Sequence, residues 1–327
     1  MIQVVIGVDM AKLKFDVASL CEGKYKHKVF TNNEHGFTDF VSWFSALCND
    51  SKPLICMEST GAYSLPLADF LVSQGYGVSV VNPAQIKAFA NSQLSRAKTD
   101  KADAKLIARY AQTMKPPLWI PPSPAIRAVQ ALVRRADDLT EMLRMEKNRL
   151  GTATDSAVRE SIDTIITTLE AQLKATRAAI QQHIDDDPDL KQRAELLNSI
   201  KGVGDATTAQ LLVVLDKHHN FTDAKQVVAF AGLAPAIAQS GQWRGNTHIS
   251  KTGDAALRKA LYMPALSAWK SNPVIHTFCE RLRANGKNGK AIICAAMRKL
   301  IHLAFAILKS GIPFDPDYAN KKPLICS

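Results

Sequence analysis

The sequence predicts an α/β layer fold followed by an all-α region. Short β-rich runs alternate with helical stretches up to about residue 115. The proline pairs Pro116-Pro117 and Pro121-Pro122 then form a stiff boundary. Beyond them the apolar spacing is wholly helical. A chain of 327 residues has room for two or three domains with real cores. The expected divisions are residues 1–122, a helical hairpin or coiled-coil arm at 123–188, and a mainly helical part at 189–327.

Residues 3–8 (Gln-Val-Val-Ile-Gly-Val) make a short apolar strand ending on Asp9. Strands near 14–20 and 25–30 follow, separated by the turn residues Glu22-Gly23. Asn32-Asn33 can cap a helix over about 36–47, where Phe37, Phe40, Val41 and Phe44 share one face. A fourth strand, Leu54-Ile-Cys-Met57, ends on Glu58, and Ser59-Thr60-Gly61 opens a helix over about 62–73. Residues 77–81 form a fifth strand, stopped by Asn82-Pro83, with a helix from about Ala84. An antiparallel run followed by strand–helix alternation indicates a mixed sheet.

In the helical region, Ile126, Val129, Leu132, Val133, Leu139, Met142, Leu143 and Leu150 recur at helical spacing. A second long helix runs from about Ser156 to His183 and is ended by Asp185-Asp-Asp-Pro188. Two long helices with a short turn make a hairpin, and its near-neutral charge favours a protein–protein role. Leu196-Leu-Asn-Ser-Ile-Lys-Gly202-Val-Gly204 leads into a helix over 206–215, a helix–Gly-Val-Gly–helix layout that resembles a helix-hairpin-helix. Helices follow over about 224–231, from Asp254 as cap, over 273–283 and over 289–310.

The formal net charge is +11, unevenly placed. Residues 1–115 carry 13 basic and 10 acidic side chains, residues 116–200 carry 11 and 13, and residues 201–327 carry 17 and 7. The last part therefore holds an excess of ten positive charges, the footprint of a polyanion partner. No apolar run approaches membrane-spanning length, and the first residues lack a signal-peptide layout. Six scattered cysteines without a CxxC pair read as reduced residues of a cytoplasmic protein.

Two stretches carry chemistry. In Arg96-Ala-Lys98-Thr-Asp100-Lys-Ala-Asp103-Ala-Lys105 two carboxylates lie three residues apart at a helix start, on one face, among four basic residues. Asp9 and Glu58 stand at strand C-terminal ends, the edge where open α/β sheets build sites. Four carboxylates brought together repel unless a cation lies between them, and Mg2+ takes such oxygen ligands. The second stretch runs from Gln239 to Asp254: polar, glycine-rich, and set between helices. Its hydroxyls leave Ser240, Thr247, Ser250 and Thr252 in contention as a nucleophile. The glycines of Lys201-Gly202-Val-Gly204 can free N–H groups at a helix start for a phosphate. Lys98, Arg244, Lys251 and Arg258 are further candidates for nucleic-acid contact.

Val-Ile-Gly-Val-Asp9, Met57-Glu58-Ser-Thr-Gly61 and Lys98-Thr-Asp100-Lys-Ala-Asp103-Ala resemble the DEDD signature of a RuvC-like, RNase-H-type domain. More narrowly, they resemble transposases of the IS110 family of insertion sequences. The later Gly232-Leu-Ala-Pro, Ser240-Gly and Ile-Ser250-Lys-x-Gly-x-x-x-Leu-Arg258 extend that likeness over nearly the whole chain. The resemblance implies a DNA recombinase with Mg2+ on Asp9, Glu58, Asp100 and Asp103, and Ser240 as the DNA nucleophile. It also implies a structured noncoding bridge RNA pairing with donor and target DNA, and a homo-oligomer, dimer to tetramer, working on nucleoid DNA. Two alternatives stay open: a metal-dependent nuclease of the Holliday-junction type, in which water attacks, and a non-catalytic nucleic-acid-binding module.

Overall fold

The central strand of the N-terminal unit is β1 (Val5–Met10), as a computed structural model of the chain shows. The residues described are 4–48, 52–94, 99–216, 220–236, 239–240, 243–244 and 248–317. They fall into two units, Met1–Pro121 and Pro122–Ser327. In the first, β2 (Lys14–Cys21) and β3 (Lys24–Thr31) run antiparallel to their neighbours, while β4 (Leu54–Glu58) and β5 (Val78–Val81) are parallel to β1. The sheet order is β3-β2-β1-β4-β5. Glu22 and Gly23 both take positive φ, 47° and 77°, the conformation that two-residue hairpin turns need.

Strand alternation sorts the side chains into two cores. Ile6, Val8, Phe15, Val17, Ile55 and Met57 face α1 (Glu34–Cys48) and α2 (Leu65–Ser73). Val5, Cys56 and Val81 face α3 (Pro83–Ser92) and α4 (Asp100–Met114), whose Ile86, Ile107, Tyr110 and Ala111 close that side. The result is the expected mixed sheet between helical layers. One local difference is that the chain after Glu58 first makes a 3₁₀ turn, Gly61–Tyr63, before α2 begins.

The second unit is mainly helical. α5 (Pro124–Thr152) and α6 (Ser156–Asp186) form the expected hairpin. Its inner ends sink Ile126, Val129, Val133, Ile180 and Ile184 into the large helical core. The outer part is held by Leu139, Leu169 and Leu173 and by the Lys147–Glu170 ion pair at 2.7 Å. Asp187 caps α7 (Pro188–Asn198) by accepting from the Leu190 N–H. Then come α8 (Asp205–Val214), α9 (Ala224–Phe230), α10 (Ala255–Ser271), α11 (Pro273–Ala284) and α12 (Gly289–Ser310).

Two expectations need correction. The polar stretch between α9 and α10 carries strand pairing: β6 (Pro235–Ala236) with β9 (His248–Ile249), and β7 (Gln239–Ser240) with β8 (Trp243–Arg244). Two-residue strands leave no periodicity to read. Also, α12 contains an 18-residue stretch that by length and composition alone is apolar enough to cross a membrane. In the structure its Ile292, Ala296, Leu300, Ile301 and Ala304 are core residues of the helical unit instead.

Candidate active site

The geometry of the acidic site starts at Gly7. A Cβ on Gly7 would stand 2.2 Å from both the Ala104 carbonyl oxygen and the Ala108 nitrogen. Only a glycine lets the α4 backbone lie directly on β1 there. Asp9, two residues along the strand, points to the same face, and Asp103 immediately precedes Ala104. The close approach therefore delivers Asp103 to Asp9. Thr99 fixes the start of α4: its hydroxyl accepts from the Ala102 N–H at 3.2 Å.

Glu58 arrives through the parallel register. Val8 pairs with Met57, so the next step places Glu58 beside Asp9. The electrostatics report this convergence. Burial first, then the charges of Asp103, Asp100, Glu58 and Asp16, push the Asp9 carboxyl up to about 6. Burial and Asp103 raise Glu58 as well.

Asp100 behaves differently. Its carboxylate is 59% exposed and accepts a 2.8 Å bond from Lys14 Nζ, which holds it below the usual carboxylate range. The same ammonium lies 3.2 Å from Asp16 Oδ2. Asp16 is only 4% exposed, pairs with Asp9 across β1 and β2, and has His27 Nε2 at 2.8 Å on its other oxygen.

Among the described residues, no three Asp, Glu, His or Cys side chains are gathered as a set able to hold a metal ion. The donor chemistry nevertheless fits Mg2+. The oxygens are hard, and burial together with the anionic neighbours pushes the central carboxyl up to about 6, a charge burden that a bound cation would relieve.

Sequence reasoning named Asp9, Glu58, Asp100 and Asp103 but missed Gly7, Lys14, Asp16 and His27. A glycine inside an apolar strand signals close backbone approach. An Asp inside Phe15-Asp-Val-Ala, in hairpin register with Asp9, signals a buried polar contact.

For the second stretch the structure gives the backbone frame. Ser240 pairs with Trp243, and Gln239 with Arg244. The base of the loop is tied by backbone N–H donors to carbonyls: Ser250 to Ala234 at 2.9 Å, Lys251 to Gly232 at 3.0 Å and Asp254 to Phe230 at 2.7 Å. The side chains of Ser240 and Arg244, and Lys98 and Thr247 altogether, lie outside the described residues.

Of the phosphate candidates, Lys201 and Lys251 are exposed. Arg258 is committed elsewhere: its Nη1 donates to the Ala231 carbonyl at 2.9 Å, closing the loop base. Gly202 has φ +101° and lies 2.7 Å, measured from a Cβ built on it, from Ala268 of α10. Helix packing alone therefore requires that glycine. Gly204 is the N-cap of α8, with open space around it.

The sequence is similar to known proteins. Residues 6–158 match a family model described as a transposase, and residues 194–280 match a model of the IS116/IS110/IS902 transposase family. Over 320 residues the chain is 37% identical to the pilin gene-inverting protein of Moraxella lacunata, covering 95% of this chain and 97% of that one. It is 30% identical over 161 residues to an uncharacterized insertion element IS110 protein of Streptomyces coelicolor, covering 49% and 39% of the two. It is 23% identical over 345 residues to the transposase of insertion sequence element IS1328 from Yersinia enterocolitica, covering 94% and 98%.

Proposed function

We propose, from the premise that this chain belongs to the IS110 family of transposases and is a DNA-recombining enzyme, that it cuts and rejoins strands through a phosphoserine link on Ser240. The observation that carries the acidic half is the set of carboxylates acting on Asp9, which share one end of the sheet. Asp9, Glu58, Asp100 and Asp103 would hold Mg2+, which when bound supplies charge to polarise the scissile phosphate.

The residues of the chain do the rest. Ser240 Oγ forms a bond to phosphorus as the bond to the leaving sugar oxygen breaks. The serine proton passes to a base, and the leaving oxygen takes one up. The ester conserves the broken bond, so a second DNA end can reverse the step. Lys251 and Arg244 are close enough in sequence to Ser240 to bind the phosphate. The basic residues of 201–327 hold the DNA backbone.

The likeness to pilin gene-inverting proteins supports exchange between two DNA sites as the reaction class. We assign the guide to a structured noncoding bridge RNA and the working form to a homo-oligomer of two to four chains acting on nucleoid DNA. Residues 1–122, 123–188 and 189–327 divide the labour as carboxylate domain, protein-contact arm and nucleophile domain.

The test is denaturing electrophoresis of the protein with labelled substrate DNA. A Mg2+-dependent shifted band is expected for the parent and for Ser250→Ala, and none for Ser240→Ala, which still binds DNA. An adduct surviving in Ser240→Ala overturns the nucleophile. Free cut ends without any adduct turn the assignment to a hydrolytic nuclease.

A further inference from the structure

Lys14 contacts one of the proposed ligands but belongs to no part of the chemistry above. Its ammonium lies between two carboxylates: Asp100 Oδ2 at 2.8 Å and Asp16 Oδ2 at 3.2 Å. The two anchors differ. Asp16 is buried in the sheet, and its second oxygen has His27 Nε2 at 2.8 Å, so its position is fixed. Asp100 is exposed at the first turn of α4, so it is the partner that can let go.

Asp16 also stands opposite Asp9 across the β1–β2 ladder. A buried acid beside an already acidic cluster is costly unless a cation compensates it. Lys14 supplies that compensation for Asp16 and draws Asp100 toward β2.

We propose that Lys14 is an internal counter-cation, moored by Asp16, that holds Asp100 until a divalent cation competes for it. This rests on the carboxylate site proposed above. Lys14 is accordingly a positioning residue. The ammonium stabilises the carboxylates in the metal-free protein, and binding of a divalent ion exchanges the Lys14–Asp100 contact for an Asp100–metal contact. No covalent bond changes.

The experiment is Mn2+ titration of the full-length protein by calorimetry. Lys14 is 48% exposed, so Lys14→Met leaves the sheet cores intact. With the competitor gone, Mn2+ should bind more tightly by roughly two- to fivefold, the range that an exposed ion pair supplies. Lys14→Arg keeps the charge and should bind Mn2+ no more tightly than the parent. A purely structural role for Lys14 would move both variants in the same direction.

Unchanged or weaker binding in Lys14→Met overturns the inference and leaves the carboxylate site standing. Binding of Mn2+ that is absent from the parent as well as from both variants overturns the metal site and this inference with it. Tighter binding in Lys14→Met alone supports it.

Discussion

Around Asp9 the chain is held by packing. α4 lies on β1 at a backbone distance that only Gly7 permits, and Cys56, Ile107 and Ala111 are completely buried beside it. Around Ser240 the chain is held by backbone hydrogen bonds. Two ladders of two residue pairs each rise from a base that Arg258, Lys251 and Asp254 tie to the α9 end. Carboxylates that must converge are thus placed as part of a core. The serine's backbone is placed by a short strand pairing with Trp243. Charge divides the same way, with most of the positive excess in residues 201–327. Substitutions should accordingly couple to stability near Asp9 and to binding near Ser240.

The largest expected effect tests the charge side of that contrast. If six to ten phosphates are contacted, DNA affinity should fall by roughly 10³–10⁵ between 50 and 200 mM salt. Arg298, Lys299 and Lys225, with the single opposing carboxylate of Asp223, surround His302, which burial and then Arg298 and Lys299 hold below the usual histidine value. Such a cluster suits an anion. Lys225→Ala and Lys299→Ala should each lower the salt slope by about one, whereas Lys12→Ala and Lys24→Ala in the first unit should leave it unchanged. Fluorescence anisotropy across a salt series measures this, and an affinity flat in salt would break the contrast.

A smaller effect tests the packing side. Gly7→Ala forces a methyl into the α4 backbone and should cost about 1–3 kcal/mol or more of stability, with loss of divalent-ion binding. In Gly204→Ala the new methyl meets open space, and the stability should change by no more than about 1 kcal/mol. Thermal denaturation of the two variants decides. A Gly7→Ala protein as stable as the parent would mean that α4 is not seated by that contact.

These contrasts also explain what the sequence could tell. The α/β order was legible because β1, β4 and β5 are apolar runs, the β2–β3 pair is marked by the turn residues Glu22-Gly23, and Asn82-Pro83 stops the last strand. The acid pair on α4 was legible because i, i+3 spacing sets a face. Lys14 and Asp16 were not, because their meaning depends on the β1–β2 register that puts Asp16 opposite Asp9. Arg258 looked like a phosphate ligand because a basic residue near a polar loop has that composition. Only the fold shows its guanidinium turned onto the Ala231 carbonyl. The short ladders about Ser240 were hidden because two residues cannot display alternation.

The smallest effect is the pH dependence of the metal-free protein. Asp9 has its carboxyl raised from 3.8 to about 6 in the folded chain, so the native state binds that proton more tightly than the unfolded state. Its contribution is complete below pH 3.8 and is lost as pH rises through about 6. Asp9 is only half-buried, so solvent screening reduces the expected loss to about 1 kcal/mol. Asp100 is held below its usual range by Lys14 and acts in the opposite sense, while Glu58 acts as Asp9 does. The parent must therefore be compared with Asp9→Asn, in which the other carboxylates remain. Between pH 4 and 6.5 the melting temperature of the parent should fall relative to that of the variant. Mg2+ should restore it above pH 6, because an ion that binds only the native state adds stability with its concentration. The variant, which keeps Glu58, should show a smaller fall and a smaller rescue. Parallel melting profiles for the two proteins, with and without Mg2+, would mean that the carboxylates around Asp9 do not act on one another as their placement at one end of the sheet requires.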